Sequence, residues 1–405
     1  MPRNCIALTV LLLALFMELV DVSSANLALP SIQSDIGASP SELQWVMAAY
    51  SIAFAMALLP GGHLGDVWGR RRAFMAGVVL FGMASMACGF VDTPLALIVS
   101  RLAQGLGGGV MMPQVLASTR EMFDGPARSR AFGIYGAVVG LGMVLGPFVG
   151  GYLVDANVFG LVWRPVFLIN VPVAIIAFFG SWKFVPNTRH AQNARTNLKR
   201  LFRRRRFTAG LGVALVTYTT VAGFFLTASV FVQSGLSYSP LKAALVGIPF
   251  SVGAAASSVI AGLLLPRFQR KVLFVGASIY ALGMGSLAVV VDHGFTVERS
   301  LAPLVLAGAG MAAVVVPLLD FTLSDVHDDD VGLGSGLLNL MQPLGGAGGV
   351  WILGSVFFGR LDAGTSYPKA FISVAFIVVG SIGLASALMT KLPPRSIPRA
   401  VTPGS

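Results

Sequence analysis

Twelve apolar runs, each about as long as a membrane-spanning helix, occupy most of this 405-residue chain. A helix needs roughly twenty apolar residues to cross the hydrocarbon core of a bilayer. Hydrophobic residues make up 55% of the chain and charged residues only 11%, whereas soluble domains carry roughly a quarter charged residues. The runs are apolar on all sides, which favours helices over barrel strands of alternating polarity. The sequence therefore predicts an all-α integral membrane protein.

The twelve predicted spans fall into two groups of six. A basic segment, 185–207, separates the groups, and a polar, Pro-rich tail, 392–405, is predicted to be disordered. This pattern predicts two pseudo-symmetric six-helix bundles, 1–184 and 208–391. The predicted spans are Ile6–Leu27, Leu43–Gly62, Ala73–Phe90, Leu95–Thr119, Ala131–Val154, Pro165–Phe184, Thr208–Val232, Ala243–Leu265, Val272–Val291, Leu301–Leu323, Gly332–Phe358 and Ala370–Met389.

The basic residues predict the orientation of the chain. With both termini in the cytoplasm and alternating spans, 22 of the 28 Lys and Arg residues fall on the cytoplasmic side. The net charge of +11 is then explained by basic segments that face anionic lipid headgroups, so nucleic acid is not an expected partner. Two cysteines and four scattered histidines predict neither a disulfide framework nor a metal site.

Three charged residues lie within predicted spans and away from their ends: Glu18, Asp21 and Arg101. A charge in hydrocarbon costs roughly 3 kcal/mol or more, so these side chains must face a protein interior or a watery cavity. Glu18 and Asp21 are three residues apart and share one helix face. They are candidates for binding and releasing a proton, or for a buried structural role. Arg101 needs a carboxylate partner, and the candidates are Asp21 and Glu18. The resulting ion pair could serve proton coupling, or it could be purely structural.

Small residues dominate two other spans. Gly142, Gly146 and Gly150 form one stripe on helix 5, next to Pro147 and Gly151. Such stripes allow close helix packing and are also found in polytopic proteins of many kinds. A similar glycine cluster lies in helix 11. Polar residues within or near the spans predict a substrate cavity lined by Asn26, Gln104, Asn339, Gln342 and Asp320. For Asp320 a solvated position at the end of its span is an equal alternative, and the acidic run at 325–330 is expected to be solvated.

A charged cluster follows the second span. Gly62, Gly65 and Gly69 surround Asp66, and Arg70 to Arg72 follow directly. The cluster predicts a tight charged turn at one membrane face, and it resembles the helix 2–3 loop signature of the major facilitator superfamily. Together with the other motifs it is similar to that superfamily's drug:proton antiporters, in particular the subgroup that usually has fourteen helices. The matching stretches are Asp21–Pro30, Gly62–Arg72, Arg101–Gly108, Gly142–Gly151, Trp163–Arg164, Phe167–Pro172 and Gly332–Gly349.

The resemblance implies roles for these residues. Asp21 is then the proton-binding acid, with Glu18 beside it, and Arg101 its coupling partner. The cytoplasmic gate comprises the glycines of the signature together with Asp66, Arg70 and Arg71, and the stripe Gly142, Gly146, Pro147, Gly150 and Gly151 supports antiport. Two features depart from the subgroup. Its central helix pair is missing, and the polar stretch of helix 11 has become Asn339–Pro343.

The predicted function is proton-coupled export of small amphipathic or cationic compounds by a monomer in a bacterial-type inner membrane. The proton gradient is the only energy source implied, and no cofactor is expected. Two alternatives stay open: a proton-coupled importer or uniporter of a small metabolite on the same fold, and a non-transporting membrane receptor or scaffold. An enzyme is not expected, because the glycine runs lie inside spans with no preceding strand and no nucleophile–base pattern accompanies them.

Overall fold

A computed structural model of the protein describes residues 2–188, 201–268, 270–323, 326 and 331–390. Twelve helices within these ranges are long and apolar enough to cross a membrane, as predicted. They are α1 (Pro2–Ile36), α2 (Pro40–Trp68), α3 (Arg70–Phe90), α4 (Pro94–Met122), α5 (Gly125–Asp155), α6 (Pro165–Phe184), α7 (Arg205–Val230), α8 (Pro240–Phe268), α9 (Arg270–Asp292), α10 (Val297–Leu323), α11 (Val331–Asp362) and α12 (Tyr367–Thr390).

The helices pack as two halves that repeat the same arrangement. In the first half α4 packs against α2 and α3, and α1 packs against α5. In the second half α10 packs against α8 and α9, and α7 packs against α11. The halves meet where α2 contacts α11 and where α5 contacts α8, which is the same contact made twice. This is the predicted pseudo-symmetric pair of six-helix bundles in a major facilitator fold.

The first helix is longer than predicted. It runs to Ile36, past the predicted end at Leu27, because no glycine interrupts it before Gly37. Gly37 has a φ of +66°, the left-handed conformation that commonly follows a helix end. Ser39 then starts α2 with a capping box in which its hydroxyl accepts from the backbone of Glu42. The turn between the two helices is therefore short and fixed by local sequence.

The prediction of a charged turn over Gly62–Arg72 is wrong, because most of this stretch is helical. The helix α2 continues through this signature to Trp68, and α3 begins at Arg70. The break is the single residue Gly69, whose φ of +100° a residue with a side chain rarely adopts. The charged residues Asp66 and Arg70 thus belong to helices and have fixed directions.

The predicted domain boundaries stay predictions. Residues 189–200 of the predicted linker and the predicted tail at 392–405 lie outside the described residues. The described part of the linker consists of 185–188, which follow α6, and of 201–207, where α7 begins at Arg205.

Candidate functional site

A buried ion pair links two helices of the first half. Asp21 on α1 and Arg101 on α4 have no solvent-exposed surface, and the Asp21 Oδ2 and Arg101 Nη1 atoms lie 2.7 Å apart. Arg101 also donates from Nε to the carbonyl of Val46 at 3.3 Å. Asp21 is therefore the carboxylate that partners Arg101. Removing either member of such a pair leaves the other charge uncompensated in a region without water.

Three neutral side chains complete the surroundings of Asp21. Its Oδ1 accepts hydrogen bonds from Gln104 Nε2 at 2.8 Å and from Asn170 Nδ2 at 2.7 Å. Both amides also donate to the hydroxyl of Ser85, which in turn donates to the carbonyl of Phe167 at 2.9 Å. Helices α1, α3, α4 and α6 thus share one polar network in their common core. A change in the charge of Asp21 would disturb contacts on all four helices.

The glycines of α4 allow this network to form. A Cβ added at Gly105 would lie 2.3 Å from the carbonyl oxygen of Tyr50 on α2, and one at Gly107 would lie 2.5 Å from the backbone nitrogen of Phe81 on α3. Real side chains cannot approach backbone this closely, so α4 lies in direct contact with both neighbours. The close packing brings Arg101, one turn earlier, within reach of α1 and α2.

A central cavity of about 1450 Å³ lies between the two halves. Glu18 reaches its wall from α1, and the hydroxyl of Tyr50 donates to Glu18 Oε1 at 3.2 Å. Aromatic side chains from both halves form much of the remaining wall, among them Phe54, Tyr135 and Phe225. Large apolar cavities with a few polar groups are typical sites for small organic ligands.

The cavity reaches one end of the protein and is closed at the other. It extends past Asp66 and Arg70 to the connection between α4 and α5, at the end predicted to be cytoplasmic. At the opposite end the halves are joined by hydrogen bonds: Ser229 donates to the carbonyl of Asn26 at 2.9 Å, and Gln233 to that of Leu27 at 3.2 Å. The structure therefore gives access to the cavity from the end with the charged signature.

The residues predicted to face the cavity divide into three groups. Asn26, Asn339 and Gln342 line it. Gln104 does not: it has no exposed surface and lies in the Asp21 network, so its predicted place on the cavity wall is wrong. The physical reason is that Gln104 faces α1 and α3, where Asp21 and Ser85 need its amide. The side chain of Asp320 and the acidic residues at 325 and 328–330 lie outside the described residues.

The predicted gate residues contact one another within the first half. Arg70 Nη2 lies 3.0 Å from Asp66 Oδ1, and Arg70 also pairs with Glu121 at the end of α4. The Arg70 backbone N–H donates to the carbonyl of Thr188, just after α6. Arg71 donates to the carbonyl of Trp182 at 3.3 Å. These contacts connect the ends of α2, α3, α4 and α6.

The glycines of the signature differ in their surroundings. A Cβ at Gly65 would meet the side chain of Gln114 at 2.0 Å, whereas Gly62 lines the cavity and has no atom closer than 3.9 Å. A Cβ at Gly69 would meet Asn187 at 2.4 Å. Only Gly65 and Gly69 are thus required by close contacts with neighbouring elements.

The helix 5 stripe faces α1. Added Cβ atoms at Gly142, Gly146 and Gly150 would lie 2.5 to 2.8 Å from side chains of Leu19, Ser23 and Ser24. The following residue, Gly151, instead faces α8 of the second half, with a Cβ 2.7 Å from the carbonyl of Pro240. Pro147 lines the cavity. The stripe therefore packs the two helices of the first half, and its end joins the halves.

Sequence reasoning did not assign roles to three members of the site. Asn170 is an amide within an apolar run, and that position is a signal that it needs a buried polar partner. Tyr50 and Ser85 carry no such signal, because tyrosine and serine are common in membrane helices and their partners come from distant segments. Only the packing of α2 and α3 against α4 brings them to Arg101 and Asp21.

The fold and the cavity define a class of protein. Two repeated six-helix bundles around a cavity open at one end are the architecture of a secondary transporter. The chain belongs to the Major Facilitator Superfamily, whose family model matches residues 11–350.

Curated relatives cover most of the chain. It is 34% identical to a probable actinorhodin transporter of Streptomyces coelicolor, over 89% of this chain and 74% of that protein. It is 30% identical to the puromycin resistance protein pur8 of Streptomyces alboniger, over 89% of this chain and 83% of that protein. It is 29% identical to the cephamycin export protein CmcT of Amycolatopsis lactamdurans, over 99% and 95%. The chain is thus a multi-pass membrane transporter related to antibiotic and drug efflux proteins.

Solved structures share the fold. A bacterial homologue of the human lysosomal transporter Spinster, in an inward-facing and unoccupied conformation, matches with a TM-score of 0.78 and 17% identity, over 96% of this chain and 98% of that chain. The nucleoside transporter NupG matches with a TM-score of 0.79 and 14% identity, over 96% and 100%. At these identities the likeness concerns the fold alone.

Proposed function

We propose that this protein exports small cationic or amphipathic compounds from the cytoplasm in exchange for protons. The observation that carries the proposal is the cavity of about 1450 Å³, which has an acid, Glu18, on its wall and a buried acid, Asp21, behind it. One acid meets the substrate and the other lies within the helix network. An exchanger needs both, because substrate and proton must influence each other through the protein.

The lining of the cavity supports a cationic or amphipathic substrate. The carboxylate of Glu18 attracts positive charge, and the aromatic rings of Tyr50, Phe54 and Phe225 bind cations and flat apolar groups through their faces. The amides of Asn339 and Gln342 add neutral hydrogen-bonding groups from α11. The names of the relatives, which include a puromycin resistance protein and a cephamycin export protein, support export of organic compounds of this size.

The network around Asp21 supports proton coupling. While ionised, Asp21 balances the charge of Arg101 and accepts hydrogen bonds from Gln104 and Asn170. A proton on Asp21 removes that balance, so the network must rearrange on α1, α3, α4 and α6 together. The free energy of protonation is then available to shift the equilibrium between two conformations of the first half. The energy source is the proton gradient, without a cofactor.

The end contacts support alternation between two states. The protein is open at the predicted cytoplasmic end, so loading would occur from that side. Release to the outside requires the hydrogen bonds from Ser229 and Gln233 to α1 to break, and the ends of α2 and α4 to approach the second half. The ion pairs of Arg70 with Asp66 and Glu121 keep the end of the first half rigid during this movement.

Transport assays in inverted membrane vesicles test the proposal. With an imposed proton gradient and ethidium as the cationic probe, we expect Asp21→Asn to reduce gradient-driven ethidium uptake about tenfold or more, because the coupling between the sites is lost. The matched control is Asp155→Asn, which removes an exposed carboxylate at the far end of α5 and should leave uptake unchanged. Unchanged uptake in Asp21→Asn would remove Asp21 from the mechanism.

The same vesicles separate the competing functions. Ethidium uptake by the wild-type protein that is independent of the proton gradient supports a uniporter. Proton-driven movement in the opposite direction supports an importer. Binding of ethidium without flux supports a receptor. Each of these results contradicts the proposed exchange.

A further inference from the structure

Tyr50 lies between the cavity and the buried ion pair. Its hydroxyl donates to Glu18 at 3.2 Å, and the centre of its ring lies 4.2 Å from the guanidinium carbon of Arg101. The side chain therefore contacts the cavity-facing acid at its edge and the buried cation with its face. Tyr50 is on the cavity wall, whereas Asp21 and Arg101 have no exposed surface. The Tyr50 ring therefore covers Arg101 on the side that faces the cavity.

The position of the ring depends on close contacts with α4. A Cβ at Gly108 would lie 3.1 Å from the Tyr50 hydroxyl oxygen, and one at Gly105 would lie 2.3 Å from the Tyr50 carbonyl oxygen. The ring thus lies in a groove where Gly105 and Gly108 have no side chains. Phe54 lies beside it, with the two ring centroids 6.0 Å apart. On α4 the ring therefore packs beside Arg101, at a place where Gly105 and Gly108 have no side chains.

Arg101 makes the ring position energetically important. In the described part of the chain its Nη2 atom is buried and has no hydrogen-bond partner. A buried guanidinium group that lacks one partner depends on its remaining contacts, and the face of an aromatic ring is a favourable one. Displacing Tyr50 therefore weakens the stabilisation of Arg101 and favours a rearrangement of its pair with Asp21.

Glu18 controls the other edge of the ring. Four groups with charge or titratable hydroxyls act on its carboxylate: Asp21 on the same helix, Tyr50 on α2, Arg101 on α4 and Tyr135 on α5. Tyr50 is the one whose hydrogen bond to Glu18 is present in the structure. A hydrogen bond to an ionised carboxylate is roughly twice as strong as one between neutral groups. The strength of the hydrogen bond from Tyr50 therefore depends on the charge state of Glu18 and on whether another group binds the Glu18 carboxylate.

We propose that Tyr50 is a positioning residue that shields Asp21 from the cavity while its hydroxyl is bound to Glu18, and exposes Asp21 when a cationic substrate or a proton takes the Glu18 carboxylate. This inference rests on the proposed function, and it assigns the means by which substrate binding reaches the buried acid. A substrate cation at Glu18 displaces the hydroxyl, the ring shifts from Arg101, and cavity water reaches Asp21. A proton held by Asp21 can then leave to that water, which links substrate loading to proton release.

A native cysteine reports on this shielding. Cys88 is buried on α3, with its sulfur 3.9 Å from Gln104 Oε1, and so lies beside the Asp21 network. The second cysteine of the chain, Cys5, is exposed and can be removed by Cys5→Ser. In that background, modification of Cys88 by a small water-soluble thiol reagent measures how often water enters the network. The assay needs no transport and no proton gradient.

The experiment compares Tyr50→Phe, which keeps the ring and removes the hydroxyl, with the parent protein in proteoliposomes. We expect the rate of Cys88 modification to rise about tenfold or more, as expected from the loss of one hydrogen bond to a charged group. Glu18→Gln should increase the rate similarly, and adding ethidium should increase it in the parent but not in Tyr50→Phe. The control Tyr152→Phe alters an exposed tyrosine of α5 and should leave the rate unchanged.

Proton coupling supplies the second measurement. Tyr50→Phe should carry ethidium down its gradient but lose about tenfold in accumulation against it, with a proton leak in the absence of ethidium. A parental rate of Cys88 modification in both Tyr50→Phe and Glu18→Gln overturns the role of Tyr50, even if the parent exchanges protons for ethidium. A parent that moves ethidium without protons overturns the proposed function, and this inference with it, whatever the cysteine rates are.

Discussion

The two halves of the protein share the same helix packing, but they differ in the side chains that they bury at matching positions. In the first half a Cβ at Gly105 would meet the carbonyl of Tyr50 at 2.3 Å, and in the second half a Cβ at Gly308 would meet the carbonyl of Phe250 at 1.9 Å. Four residues before these glycines stand Arg101 and Leu304 respectively. At matching positions of the repeat, the first half thus has the buried cation Arg101 against Tyr50, and the second half has the apolar residue Leu304.

The buried polar groups follow the same division. The first half buries Asp21 and Arg101 together with the amides of Gln104 and Asn170. Among the residues that the structure describes in the second half, the fully buried polar side chains are neutral, for example Thr220, which accepts from Tyr280 at 3.3 Å. Among the described residues, the fully buried charged side chains therefore lie in the first half. The two halves can differ in their buried polar groups because their helix packing depends on glycines, which are present in both halves.

The largest expected effect is on the charged position of the first half. Arg101→Leu gives this position the residue that its counterpart has in the second half. It leaves Asp21 buried without its cation, so we expect a loss of about 3–5 kcal/mol of stability and the loss of proton-driven transport. Thermal unfolding in detergent and ethidium uptake in vesicles measure the two effects. The matched change in the second half is Leu304→Met, which conserves volume and should cost less than about 1.5 kcal/mol.

Stable, active Arg101→Leu protein would contradict the division between the halves. It would mean that the buried pair is dispensable and that the first half needs no charge.

The glycine contacts should respond alike in both halves. Added Cβ atoms would lie 2.8 Å from Ser23 at Gly146, and 2.7 Å from Tyr218 at Gly345. We therefore expect Gly146→Ala and Gly345→Ala each to destabilise the protein by about 1–3 kcal/mol through overpacking. The control is Gly140→Ala on the same helix as Gly146, where no atom lies within 4 Å of an added Cβ. Thermal unfolding distinguishes the variants, and a large effect in only one half would show that the packing is not shared.

The smallest effect is expected where the second half lines the cavity. Phe225 lines the cavity from α7 and packs edge-on against Phe250 with ring centroids 5.1 Å apart. We expect Phe225→Ala to raise the KM for ethidium about fivefold, the size of one cation–π contact, without changing the number of protons exchanged per ethidium. The control is Phe376→Ala, which removes a ring that is 64% exposed on the outer surface of α12. A changed proton number would place coupling in the second half as well.

Much of this architecture could be predicted from the sequence. The number of spans follows from apolar runs of fixed length, because backbone polar groups in lipid must bond within a helix. The need of Arg101 for a carboxylate partner, Asp21 or Glu18, follows from the cost of a lone charge in that setting, and the structure shows that the partner is Asp21. The helix ends could not be predicted as well: α1 and α2 continue beyond their apolar runs to Ile36 and Trp68. Polar residues can remain helical outside the hydrocarbon, so hydropathy does not mark these ends.

The assignment of cavity residues depended on tertiary structure. Gln104 and Asn26 are both amides within helices, yet Gln104 bonds to Asp21 in the core and Asn26 lines the cavity. Helix periodicity gives the face on which a side chain lies but not which neighbour covers that face. The contact between Glu18 and Tyr50 joins residues on two helices, and nothing in either segment specifies it.

The sequence by itself determined that the chain has twelve helices long and apolar enough to cross a membrane, and that a few charges must be held among them. It did so because the transfer of apolar and charged groups between water and lipid depends on composition over a single helix. Only the tertiary structure decided that Asp21 is enclosed while Glu18 meets the cavity, and that Tyr50 contacts both Glu18 and Arg101. These positions depend on how closely α4 approaches α1 and α2, and that distance is set by glycine contacts between segments far apart in the chain.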